Sequence, residues 1–271
     1  MEGKEAITLY AEPIGQIGHF VITNSLLTTW VAGGLLLIFA FVLNHSLKTI
    51  PGRFQAGLEL VFEEALKLTD SITGSRHKSY IFLPIVLPLF LFILLNNWLG
   101  ILPGIGSIGI SYQGAIVPLF RGGNADLNTT LALSLVSVIL THLLGVTLAG
   151  FRSHTNRFIG IDLLLGIPRE VSAGNFQAIL VNPIRFLVGI IEVVGEVAKV
   201  ASLSFRLFGN VFAGEVLLAA MATIFAYVLP IPFLFLEIFV GLIQAVIFAM
   251  LVLVFLTVMS ESHDQSKGAT H

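Results

Sequence analysis

Ala201 to Glu215 reads A-S-L-S-F-R-L-F-G-N-V-F-A-G-E, with one arginine set among residues that are mostly apolar or small. An arginine side chain keeps its proton inside proteins. At the centre of a bilayer it costs from ~3 kcal/mol on insertion scales to more than ~10 kcal/mol in simulations. Arg206 therefore needs a carboxylate, a water-filled cavity, or both. Leu207 to Ile224 stays predominantly apolar, so the side chain cannot easily reach water past the C-terminal end of the helix. A charge held at that depth marks a functional position.

The surrounding composition demands the same setting. Of 271 residues, 56% are hydrophobic and 11% charged, and mean hydropathy is +0.95, far from a soluble domain in which about a quarter of residues are charged. The fold class is an all-α polytopic membrane protein of about five membrane helices plus one interfacial amphipathic helix. A net charge of -2 leaves no basic stripe for nucleic acid. The absence of cysteine excludes disulfides and thiolate metal sites. Glu2, Glu5 and Glu12 against Lys4 do not resemble a signal or transit peptide, so residues 1–19 are expected to remain as an external segment.

Between Glu12 and Lys48 no charged residue occurs, and residues 20–42 are long enough for the first membrane helix. Residues 51–72 change character. Phe54, Leu58, Val61, Ala65 and Leu68 recur at helical spacing, while Arg53, Glu59, Glu63, Glu64, Lys67 and Asp70 occupy other faces, as in a helix lying on the membrane surface. Residues 80–102 form the second span, bent by Pro84 and Pro88, and 125–150 the third. The glycines Gly104, Gly106 and Gly109 between them lack the strand and helix of a nucleotide fingerprint and read as loop residues. The sequon at Asn128 is a chance match, and His142 reads as a core histidine. Asp126 stands where a carboxylate caps a helix, with a role in transport as the alternative. Arg152, Arg157 and Arg169 put the 151–170 loop on the cytoplasmic side, with Lys48 to Lys78 and the C-terminus, and the N-terminus outside. The 261–271 tail, with His263, Asp264 and His271, reads as solvated rather than metal-binding.

Residues 175–222 form a fourth helix of roughly 70 Å, too long to cross upright. Glu192, Lys199, Arg206 and Asn210 fall within ~40° on a wheel of ~100° per residue, Glu196 extends that face, and Glu215 lies opposite Arg206. Residues 233–260 form the fifth helix, with Glu237 and Gln244. A turn near Tyr227 makes the last two helices a steeply tilted hairpin. It levels Arg206 with Gln244, and Glu215 with Glu237. Two carboxylates close together in low dielectric share a proton. Small residues, among them Ser202, Ser204, Gly209, Ala213 and Gly214, allow a neighbouring helix to approach closely.

On S-L-S-F-R-L-F-G-N-V-F-A-G-E (Ser202 to Glu215) and G-L-I-Q-A-V-I-F (Gly241 to Phe248) the chain resembles the a subunits of F-type ATP synthases. The likeness extends more loosely over N-N-W-L-G-I-L-P (Asn96 to Pro103) and A-D-L-N-T-T-L-A-L (Ala125 to Leu133). The resemblance implies a proton-translocating stator subunit, not catalytic alone and without cofactors. Its partners would be a rotating c-ring bearing one carboxylate per hairpin, the peripheral-stalk b subunits, the soluble catalytic sector at a distance, and the lipid bilayer of a bacterial plasma membrane. It also implies that Arg206 separates two offset aqueous half-channels. Asn210, Glu215, Glu237 and Gln244 match family proton-path positions, and Glu192 a polar position of the cytoplasmic half-channel. Glu196, Lys199, Asp126 and Asn128 are further candidates. Many members carry a histidine at one of the positions held here by Glu215 and Glu237, so the outer path is expected to titrate differently.

Three other readings stand beside this one. A self-contained proton-coupled transporter would show related halves with paired broken helices, and no repeat is visible. A scaffold leaves Arg206, Glu215 and Glu237 unexplained. A sodium-translocating subunit of the same family remains open, because the ring selects the ion. No G-x-x-x-x-G-K-[ST] occurs, so nucleotide binding belongs elsewhere.

Overall fold

The computed structural model describes residues 10–102, 104, 108–112, 115–150, 178–225 and 228–261. Arg152, Arg157, Arg169, Tyr227, His263, Asp264 and His271 lie outside these residues, as does Gly106. The chain is an all-α polytopic membrane protein. The α-helices among the described residues are α1 (Asn24–Ser46), α2 (Arg53–Thr73), α3 (Arg76–Ile101), α4 (Leu127–Ala149), α5 (Ala178–Ile224) and α6 (Pro230–Glu261). Four helices among the described residues are long and apolar enough to cross a membrane: Asn24–Ser46, Arg76–Ile101, Leu127–Leu148 and Pro230–Ser260. α5, at 47 residues, is the longest of these and carries Glu192, Glu196, Lys199, Arg206 and Glu215.

The helices expose what a soluble protein would bury. On α1, Leu37 is 73% and Phe41 66% exposed. Apolar surface that extensive is stable only against lipid or another protein.

α1 begins later than the hydropathy window suggests, because a short antiparallel hairpin precedes it. β1 (Pro13–Ile17) pairs with β2 (Phe20–Thr23), and Gly18 takes the left-handed conformation that their turn requires. Thr23 then caps α1, its hydroxyl accepting from the Leu26 N–H. A second hairpin, β3 (Gly109–Tyr112) with β4 (Ala115–Pro118), occupies part of the connection expected to be loop.

α2 turns directly into α3. Gly74 closes α2 in the left-handed conformation, its N–H bonding the Asp70 carbonyl. Arg76 pairs with Asp70, and the Thr73 and Ser79 hydroxyls meet at 2.9 Å. Leu66, Thr69 and Thr73 are buried, while Phe54, Val61 and Leu68 remain exposed. α2 is thus held along one edge and offers apolar side chains outward, as an interfacial helix must.

The residues divide into two compact units: those up to Leu133 with Leu203–Leu253, and Ser134–Ser202 with those from Val254 onward. In the first, polar bonds bind the helices together. Asn97 donates to the Gly241 carbonyl at 3.0 Å and Trp98 to that of Ile238 at 3.2 Å, tying α3 to α6. Asn124 donates to Asn97 Oδ1 at 2.6 Å. Such bonds hold membrane helices in place where no hydrophobic gain drives their association.

Candidate functional site

Arg206 stands on an exposed face of α5 with Gly209, Asn210 and Ala213 one to two turns onward. It makes no ion pair with any described residue. Among the described residues, a Cβ placed on Gly209 would meet nothing within 4 Å, which leaves room on this face for another helix. Ser204 points the other way, buried and bonded to the Thr130 hydroxyl at 3.1 Å.

Asn210 connects the exposed face to the interior. Its amide donates to Gln244 Oε1 at 2.5 Å. Gln244 is 2% exposed, and its Nε2 has no hydrogen-bond partner among the described residues. Asn210 rather than Arg206 is therefore the α5 partner of Gln244, one helical turn from the level inferred from residue midpoints.

One further turn along α5 are the two glutamates. Glu237 is buried, with its carboxyl against the bare backbone of Gly214, where any Cβ would overlap it. Glu215, the next residue, binds Arg121: Nη2 donates to Oε2 at 2.9 Å and Nε donates to the same oxygen at 3.2 Å. Both side chains are largely buried, 12% exposed for Arg121 and 21% for Glu215. Arg121 itself is anchored by backbone bonds. Its N–H donates to the Thr28 hydroxyl at 3.2 Å, and Nη1 donates to the Tyr10 carbonyl at 2.9 Å. Arg121 was absent from the candidate residues read from the sequence. The available signal was its isolation: it is the lone arginine between Ile101 and Asn124, followed immediately by Gly122 and Gly123.

Asp126 serves as the α4 cap. Its Oδ1 accepts from the Asn128 N–H at 3.0 Å and from the Asn128 amide at 3.2 Å, and its Oδ2 accepts from the Ser25 hydroxyl at 3.2 Å. Asn128 is thereby engaged in capping.

In the second unit, Glu196 is the centre of a separate charged cluster. Lys199 donates to Glu196 Oε1 at 2.6 Å, and His142 Nε2 lies 3.4 Å from Oε2. The Lys199 ammonium also sits 4.8 Å from the Phe255 ring centre, a cation–π arrangement. His142, expected as a plain core histidine, instead faces a carboxylate. Glu192 is half-buried in the same unit.

Carboxylates can take up and pass on protons, while amides and a permanently charged guanidinium can orient and stabilise them through hydrogen bonds, and no covalent chemistry is needed of any of them. The chain is similar to known proteins over most of its length. Residues 26–257 match the family model described as ATP synthase A chain. The ATP synthase subunit a of Mycobacterium bovis is 32% identical over 257 residues, covering 92% of this chain and 91% of the relative. That of Syntrophobacter fumaroxidans is 31% identical over 244 residues, covering 89% and 85%. That of Geotalea uraniireducens is 28% identical over 228 residues, covering 84% and 83%.

Proposed function

The chain belongs to the ATP synthase A chain family, and from that premise we propose that it is the proton-translocating stator subunit of a rotary ATP synthase membrane sector. The observation that carries this reading is Arg206: a permanent charge on an exposed helix face, ion-paired with no carboxylate among the described residues. Its counter-ion comes from outside the chain, and a rotating ring that presents one carboxyl group per subunit supplies it in turn.

A ring carboxyl group passing Arg206 is favoured in its ionised form by the opposite charge, so it gives up its proton before it passes. The same fixed charge blocks direct leakage between two offset half-channels. Glu215, Glu237, Gln244 and Asn210 serve the outer one, and Glu192, Glu196 and Lys199 the cytoplasmic one. Each proton crossing ~100 mV supplies about 2.3 kcal/mol, so several must be coupled mechanically for every ATP made. The ring, the b subunits of the peripheral stalk and, indirectly, the soluble catalytic sector are the partners. The chain works in a bacterial plasma membrane, N-terminus outside and C-terminus cytoplasmic.

Arg206→Ala in the assembled complex is the test. The expected result is normal assembly with loss of ATP-driven proton pumping. Retained pumping would overturn the reading, and solute uptake by the purified subunit alone would favour a self-contained transporter.

A further inference from the structure

We propose that a groove between α1 and α2, floored by α3, binds one phospholipid whose headgroup carries both a phosphate and an ammonium group. Both α1 and α2 pack against α3, and residues of all three helices line the space between. The groove has a volume of about 940 Å³, near the top of the ~300–1,000 Å³ range of small-molecule sites. None of its lining residues is on the proton path proposed above, so the site requires only the membrane setting of the chain.

The depth of the groove suits an acyl chain. On α1 its wall is the stripe Leu36, Phe39, Ala40 and Leu43, spaced so that all four share one face, and it continues to Ser46 at the helix end. From Leu36 to Ser46 the helix rises ~15 Å at ~1.5 Å per residue. That is one leaflet, half of a hydrocarbon core ~30 Å thick. A spanning helix of a partner protein would need the full thickness, whereas the lining ends at Leu36 on α1. A bound chain also covers Phe39, Phe54 and Val61, which these helices by themselves leave exposed.

The polar rim of the groove carries both signs of charge. Lys48, just past the end of α1, and Glu59 on α2 line the same space. Gln55 ties them together. Its Oε1 accepts from the Lys48 N–H at 3.0 Å, and its Nε2 donates to the Lys48 carbonyl at 2.9 Å and to Glu59 Oε1 at 2.8 Å. The Lys48 ammonium makes no hydrogen bond or ion pair with a described residue, and Glu59 Oε2 accepts no hydrogen bond from one. The lysine can therefore take a lipid phosphate, as basic residues at a bilayer surface do, while the glutamate takes the ammonium. A headgroup with the phosphate alone would leave Glu59 without a counter-charge.

The experiment places the assembled complex in vesicles of phosphatidylethanolamine and phosphatidylglycerol. A trace of phosphatidylethanolamine carries a photoreactive group on its acyl chain, and the labelled residues are mapped by mass spectrometry. Label is expected on Leu43, Leu58, Leu87 and Leu91, and added phosphatidylethanolamine should displace it better than added phosphatidylglycerol. Leu37 and Phe41, exposed on α1 outside the groove, report labelling by bulk lipid. Ala40→Trp fills the groove and should remove most of the label at Leu87 and Leu91 while leaving that at Leu37 unchanged. Lys48→Ala should weaken the groove label up to roughly fivefold, the upper worth of an exposed ion pair, and Glu59→Gln should erase the preference between the two lipids. Groove label no stronger than at Leu37 and Phe41, equal displacement by both lipids in wild type, or crosslinks from the groove to another protein subunit in place of lipid overturns the proposal. If Ala40→Trp fails to assemble, Lys48→Ala and Glu59→Gln, both at exposed positions, decide alone. Pumping that survives Arg206→Ala would sink the proposed function and leave this assignment standing.

Discussion

The Glu237 carboxyl rests on the Cα of Gly214, with no space between them for a side chain. This contact lets α5 and α6 approach closely at the level of the two glutamates. Gly214→Ala must displace the carboxyl or separate the helices, and overpacking of this kind costs ~1–3 kcal/mol. We expect ATP-driven pumping per assembled complex to fall severalfold or more. Unchanged pumping would mean that the position of Glu237 is unimportant.

Gly209 provides the opposite test. A Cβ there meets no described residue within 4 Å, so Gly209→Leu should fold and gain helix propensity, by about 0.5–1 kcal/mol. If a ring sweeps past Arg206, the added bulk on the same face should nevertheless cut coupled pumping at least ~10-fold, over 1.4 kcal/mol. Crosslinking or cryo-EM of the complex would show whether the ring is displaced.

Gln244→Leu removes the acceptor for the Asn210 amide while preserving approximate volume. Loss of one partner of such a bond costs ~1–3 kcal/mol. Thermal unfolding of the purified complex should begin at a lower temperature, and Asn210→Ala/Gln244→Leu should add little to the single change because the two share one interaction.

The α2–α3 turn should respond to acid. The Ser79 hydroxyl and the Arg76 guanidinium hold the Asp70 carboxyl below the ordinary carboxylate range. Its contribution is therefore present above the unfolded value of about pH 4 and is lost as pH falls through the lowered value. Hydrogen exchange at the Gly74 amide should be faster in Asp70→Asn than in wild type at neutral pH. The two should converge in strong acid, and a difference that persists there would refute the assignment.

Membership of the family was legible in the motifs around Arg206 and Gln244, and the membrane architecture in the charge-free runs. Both depend on residues adjacent in the chain or one helical turn apart. The hairpin geometry was legible only approximately. Midpoints brought Glu215 level with Glu237, while the contacts pair Asn210 with Gln244 and Gly214 with Glu237. Residue counting cannot resolve one helical turn, because side chains reach along the helix axis as well as across it. The hairpin ahead of α1 was also missed, since Phe20 to Thr23 are apolar or β-branched and continue the hydrophobic run without a break.

By itself the sequence determined a membrane-embedded helical chain with an arginine that its own local surroundings cannot neutralise. Periodicity and hydropathy are properties of neighbouring residues, and those suffice for both conclusions. Only the tertiary structure decided that Glu215 finds its counter-ion in Arg121, 94 residues earlier, and that Arg206 finds none among the described residues. A charge pair depends on distance through space, and that distance is set by how the helices pack.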